Sequence, residues 1–110
     1  MKNDAFSMAL LFDYYGELLT EKQKTYFDLY YNQDFSLAEI AEEEGISRQG
    51  VHDTLTRTEA ALRNFEAKTG MVARAMERRI ALETVETLAK QVQDKALADA
   101  ILQAVQTIKE

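Results

Sequence analysis

A chain of 110 residues, 46% of them apolar, is long enough for one packed domain, or for one small domain with an appendage. It has no cysteine, which excludes disulfides and thiolate zinc sites, and no proline, so little interrupts its helices. A net charge of −6 argues against broad, non-specific nucleic-acid binding, which draws on many lysines and arginines releasing counterions.

After Met1-Lys2-Asn3-Asp4 the apolar stretch 6–12 is too short for a leader peptide, and Asp13 ends it. No apolar run is long enough to span a bilayer, so a cytoplasmic protein without membrane insertion is expected. Phe6, Leu10 and Tyr14, with Leu11 and Tyr15 alongside, recur at helical spacing and predict a first helix over residues 4–18. Thr20, with Gln23 three residues on, has the pattern of a capping box opening a second helix over 21–32, which Gln33-Asp34 ends. Tyr26, Phe27, Leu29, Tyr30 and Tyr31 supply more apolar surface than one stripe needs. Part of it is expected to pack on the first helix and part on the helices beyond Ser36. The aromatic set Phe12, Tyr14, Tyr15, Tyr26, Phe27, Tyr30, Tyr31 and Phe35 invites comparison with base-stacking platforms. The stronger reading is a small helical core with tyrosine hydroxyls at its rim.

The most informative stretch is 36–55. Ser36 and Glu39 form a second capping-box pattern, and Leu37, Ile40 and Ala41 share a helical face. Gly45 stands where a helix must end in a left-handed conformation, Ile46 plugs the turn, and Ser47 caps the next helix. Val51 and Leu55 point back at the first of the two helices, and Ala41 is small enough for a close crossing with Val51. A plain helical hairpin explains the apolar spacing equally well, but not the combined small residue, glycine, plug and cap; that combination predicts a helix-turn-helix.

The helix begun at Ser47 keeps an apolar face through Val51, Leu55, Thr58, Leu62 and Phe65 to about Lys68, and Gly70 closes it. Two more helices are expected beyond it. Val72, Met76 and Ile80 lead into Val85, Leu88 and Val92; Asp94 breaks or caps; Leu97, Ile101, Val105 and Ile108 run to the end. The expected organisation is an all-α helical bundle: a helix-turn-helix domain over 1–70 and a C-terminal helical hairpin or extension over 71–110. The last two helices either fold back as a hairpin or project and pair with a second copy. Their surplus of apolar residues favours a homodimer.

Nothing in the residues points to catalysis or a cofactor. His52 is the only histidine and has no partner at metal-ligand spacing. Glu42, Glu43 and Glu44 are consecutive on a helix, so their side chains diverge.

The segments Leu19-Thr20-Glu21-Lys22-Gln23, Asp28-Leu29-Tyr30-Tyr31, Phe35-Ser36-Leu37-Ala38-Glu39-Ile40-Ala41 and Gly45-Ile46-Ser47-Arg48-Gln49 resemble the C-terminal DNA-reading region of bacterial sigma factors. With Leu10-Leu11-Phe12-Asp13-Tyr14-Tyr15 added, the first half more closely resembles the YlxM family of small Gram-positive helix-turn-helix proteins, from about Leu10 to Phe65. Genes of that family typically lie beside those of the signal recognition particle GTPase and its receptor. The resemblance therefore implies an accessory or regulatory protein of that pathway, with the particle's GTPase or its RNA as partner, or alternatively a DNA-binding regulator.

The sequence departs from a good DNA reader. Residues 20–66 carry five basic side chains against ten acidic ones, whereas 71–110 carry six of each. Glu44 occupies a position that is usually apolar in sigma-like motifs, so it is either exposed or loosens its helix. The candidate reading residues are Ser47, Arg48, Gln49, His52, Thr56 and Arg57. Arginine can pair bidentately with guanine and glutamine with adenine, while Asp53 beside them repels phosphates. Gly50 weakens the helix but permits close approach of a partner backbone. A second candidate patch, for RNA phosphates or acidic protein side chains, comprises Arg63, Lys68, Arg74, Arg78 and Arg79. The plainer alternative is a solvated surface with local pairs to Glu66, Glu77 and Glu83.

Overall fold

Side-chain caps set the helix boundaries in the structure, a computed structural model that describes residues 4–109. The Met1-Lys2-Asn3 start, considered for a leader, and Glu110 lie outside the described residues. The Asp4 carboxylate accepts the Ser7 N–H at the start of α1 (Ala5–Tyr15). Thr20 and Gln23 form the expected capping box of α2 (Glu21–Phe27). Ser36 and Glu39 form that of α3 (Leu37–Glu44). Ser47 caps α4 (Arg48–Thr69) through the Gly50 N–H. The next helix, α5 (Met71–Ala89), starts against the end of α4: Thr69 Oγ1 accepts the Met71 N–H and Glu66 Oε1 accepts the Val72 N–H. Asp94 Oδ1 accepts the Leu97 N–H at the start of α6 (Lys95–Lys109), so this aspartate caps. The described residues thus form an all-α protein of six α-helices with no strand.

Two of the expected helices are not regular throughout. The first tightens into a 3₁₀ turn over Gly16–Leu18. The second widens into a π turn over Asp28–Asn32, where the Gln33 N–H bonds the Asp28 carbonyl five residues back. Asp28 holds this turn, its carboxylate accepting from the Asn32 and Gln33 amides. Tyr26 and Tyr30, four residues apart on one face, join a core cluster with Ile40, Val51 and Leu55. Phe27 joins another with Met8, Leu11, Tyr15, Leu19, Leu62 and Val72. Tyr31 packs against both clusters, and the Phe12, Phe27 and Tyr31 rings stack in sequence, with centroids 4.5 and 4.4 Å apart.

Helix α4 is the common wall. Its Val51 and Leu55 belong to the cluster with α3, and its Leu62 to the cluster with α1. The aromatic set is therefore mainly core, as its composition suggested: Tyr15, Tyr26, Phe27 and Tyr30 are buried, and Tyr14 lies at the surface.

The chain divides into two compact units, the first ending at Val72 and the second beginning at Ala73. In the second, α5 stops at Ala89 rather than continuing to Val92, and residues 90–94 lead into α6. Ala89 and Val105 are buried, and the Lys109 ammonium donates to Glu86 at 2.9 Å, so the end of α6 returns to the last turns of α5. Met76, Ile80, Val85, Leu88, Leu97 and Ile108 remain exposed. Among the described residues no helix is long and apolar enough to cross a membrane.

Candidate nucleic-acid interface

The turn between α3 and α4 is built as its residues dictate. Gly45 has φ 70° and ψ 31°, the left-handed region that glycine enters without steric cost. The Ile46 N–H returns to the Ala41 carbonyl at 3.1 Å, closing the end of α3. Ile40, Val51 and Leu55 are buried in one cluster, against which Leu37, Ala41 and Ile46 pack. Glu44 is exposed, and so leaves α3 intact.

Ser47, Arg48, Gln49, His52, Thr56 and Arg57 are all exposed. They do not form one convergent set. Ser47 Oγ is engaged as the cap of α4. Gln49 Nε2 donates to Asp53 Oδ1 at 2.9 Å, and His52 Nδ1 lies 3.6 Å from the same oxygen. Base readout by Gln49 requires that hydrogen bond to be given up. Leu37, Arg48, Gln49 and His52 line a shallow groove between the starts of α3 and α4. Arg57, nine residues beyond Arg48, points about 180° away around the helix at 3.6 residues per turn.

Gly50 turns out to serve its own helix. A β-carbon there would stand 3.2 Å from Ser47 Oγ and 3.5 Å from Ile46 Cδ1, so the close approach it permits is that of the capping serine.

Of the second candidate patch, Arg63 and Lys68 lie on α4 in the first unit, and Arg74, Arg78 and Arg79 on α5 in the second. All five are exposed, and none is in an ion pair among the described residues. The local pairs to Glu66, Glu77 and Glu83 are thus not formed. Glu66 instead accepts hydrogen bonds from the Tyr15 hydroxyl and the Val72 N–H. Arg74 and Arg78, four residues apart, share a side of α5.

Sequence reasoning missed Glu59. It is only 6% exposed and accepts a hydrogen bond from the Tyr31 hydroxyl. Its signal was available, because Glu59 and Glu66 fall beside Leu55 and Leu62 on the inward face of α4, opposite two tyrosines. The two glutamates of this helix beyond Asp53 therefore face the core.

A left-handed glycine turn between two capped helices, closed over Ile40, Val51 and Leu55, defines a helix-turn-helix protein. The chain belongs to the family described as "Putative helix-turn-helix protein, YlxM / p13 like", whose model matches residues 2–106. It is 42% identical to UPF0122 protein YlxM of Bacillus subtilis over 101 residues, 92% of each chain. It is 43% identical over 110 residues to a UPF0122 protein of Halalkalibacterium halodurans, covering 99% of this chain and 100% of that one. A UPF0122 protein of Thermoanaerobacter sp. is 42% identical over 108 residues, 98% of this chain and 92% of the other.

Proposed function

We propose that this protein is a non-enzymatic, cytoplasmic accessory of the signal recognition particle pathway, binding the particle's RNA or its GTPase through surface cations. The observation that carries this over a DNA-reading role is the charge of α3. Its Glu39, Glu42, Glu43 and Glu44 are all exposed. In duplex-DNA docking the first helix of the motif crosses the phosphate backbone, so these carboxylates oppose that pose. The family resemblance, with its genes beside those of the particle, supplies the pathway. Arg63 and Lys68 in the first unit, and Arg74, Arg78 and Arg79 in the second, are exposed cations with no ion pair among the described residues.

A tagged pull-down from native cytoplasm at low salt, identifying protein and nucleic acid together, tests this. Particle RNA or GTPase in the eluate is the expected result; duplex DNA fragments sharing a sequence motif, without particle components, overturn it.

The alternative, a sequence-specific DNA-binding regulator, is favoured by one feature: Arg48, Gln49, His52 and Thr56 are exposed along the first turns of α4. The proposal also includes self-association. The second unit buries Ala89 and Val105 while leaving six large apolar side chains exposed, and residues 71–110 carry no net charge to oppose pairing with a second copy.

A further inference from the structure

We infer that the outer face of α4 from Thr56 to Lys68 is a docking strip for the phosphate backbone of double-helical RNA; this rests on the RNA-binding reading above and names the surface that carries it. Over these residues the helix has five charged side chains: Arg57, Glu59, Arg63, Glu66 and Lys68. The two acids turn inward to the Tyr31 and Tyr15 hydroxyls. The three cations turn outward, and none is ion-paired among the described residues. This stretch thus exposes its cations and turns its acids inward: Arg57 and Lys68 stand opposite the two glutamates, Arg63 stands about 40° around from Glu59, and the exposed Asp53 bounds the strip one turn before Arg57.

The shape of the strip comes from the helical repeat. Taking 100° per residue, Thr56, Ala60 and Ala67 lie along its middle within about 40° of one another. Arg63 flanks one side, and Arg57, Asn64 and Lys68 the other. All are exposed. The result is a low, smooth ridge edged by donors on both sides.

That chemistry suits RNA better than a protein. Stable protein interfaces anchor on large apolar or aromatic side chains. The exposed large apolar residues of this molecule lie elsewhere, and α4 contributes none of them. Nucleic-acid interfaces are polar and positively charged. A-form RNA offers a wide, shallow minor groove edged by phosphates and lined by 2′-hydroxyls. The low centre of the strip can approach such a groove, with Thr56 and Asn64 in reach of hydroxyls and the cations in reach of phosphates. B-form DNA instead asks the start of α4 to enter the major groove, with acidic α3 brought against the backbone.

The test measures fluorescence-anisotropy binding of the full chain over a salt series. The probes are transcribed signal recognition particle RNA, an RNA hairpin of unrelated sequence, and a DNA duplex matching the hairpin stem. The variants are the triple R57Q/R63Q/K68Q and, on α5, the triple R74Q/R78Q/R79Q. Both RNAs are expected to bind more tightly than DNA. The strip triple should lose tenfold or more in RNA affinity at 100 mM salt and flatten the log–log salt slope by about three units, one per phosphate contact. Its helicity and denaturation midpoint should stay at the parent's values, since all three side chains are exposed. If the parent binds RNA and the strip triple binds equally well, the strip is wrong and the RNA reading survives. The same holds if only the α5 triple loses binding. If the parent binds neither RNA, both fall.

Discussion

Single positions carry specific costs. Gly45 holds φ 70°, so G45A places a β-carbon in the left-handed region at a cost of about 1–2 kcal/mol, with nothing nearby to clash. Urea unfolding should show that loss as a lower midpoint at unchanged slope. Tyr31 donates to nearly buried Glu59, and Y31F removes a hydrogen bond to a charged group; the same titration should report a loss of about 1.5–3 kcal/mol. Burial holds the Tyr26 hydroxyl above the ordinary phenol value of about 10, and the Glu44 carboxylate adds to the shift. A raised folded-state value means that this contribution to stability is present below about pH 10 and lost as pH climbs through the folded value. The thermal midpoint should therefore fall in that alkaline range, and the fall should be shallower in Y26F.

At the scale of elements, the helix-turn-helix was legible because its punctuation is chemical. Serine, glutamate and glycine act as caps and stops through hydrogen bonds and backbone freedom that do not depend on distant contacts. Ala41 packs on the cluster that holds Val51, so A41L should overpack that crossing and cost about 1–3 kcal/mol, read from the denaturation midpoint. The π turn over Asp28–Asn32 was not legible from helical periodicity. It is held by the Asp28 carboxylate, which accepts from the Asn32 and Gln33 side-chain amides, and apolar spacing does not encode that contact. The inward glutamates were legible in part, since their spacing from Leu55 and Leu62 puts them on the inward face of α4. A carboxylate reads as surface until the tyrosine that donates to it is seen across the packing. The candidate reading residues are exposed on α4 and at its cap, but the Gln49–Asp53 bond and the separation of Arg48 from Arg57 are seen only in the folded helix.

At the scale of the whole molecule, two compact units divide the chain. The first is a core-bearing helix-turn-helix unit whose long helix turns Glu59 and Glu66 inward and leaves its cations and Asp53 at the surface. The second is a pair of helices with six large apolar side chains exposed. Burying six such side chains against a second copy favours association, at about 25 cal/mol per Å² of apolar surface. Equilibrium sedimentation should show a dimer, with I80E/L88E returning it to a monomer of unchanged helicity; a monomeric parent at high concentration contradicts this. The exposed carboxylates of α3 set particle binding against operator reading. The most direct measurement compares recovery of the particle and of selected duplex DNA by the parent, by R48A/Q49A, and by a variant with charge reversal at Arg63, Lys68, Arg74, Arg78 and Arg79. R48A/Q49A should recover particle RNA or GTPase at nearly the parent level, and charge reversal should lose it. Tight, sequence-selective duplex DNA binding at physiological salt, abolished in R48A/Q49A, would contradict it.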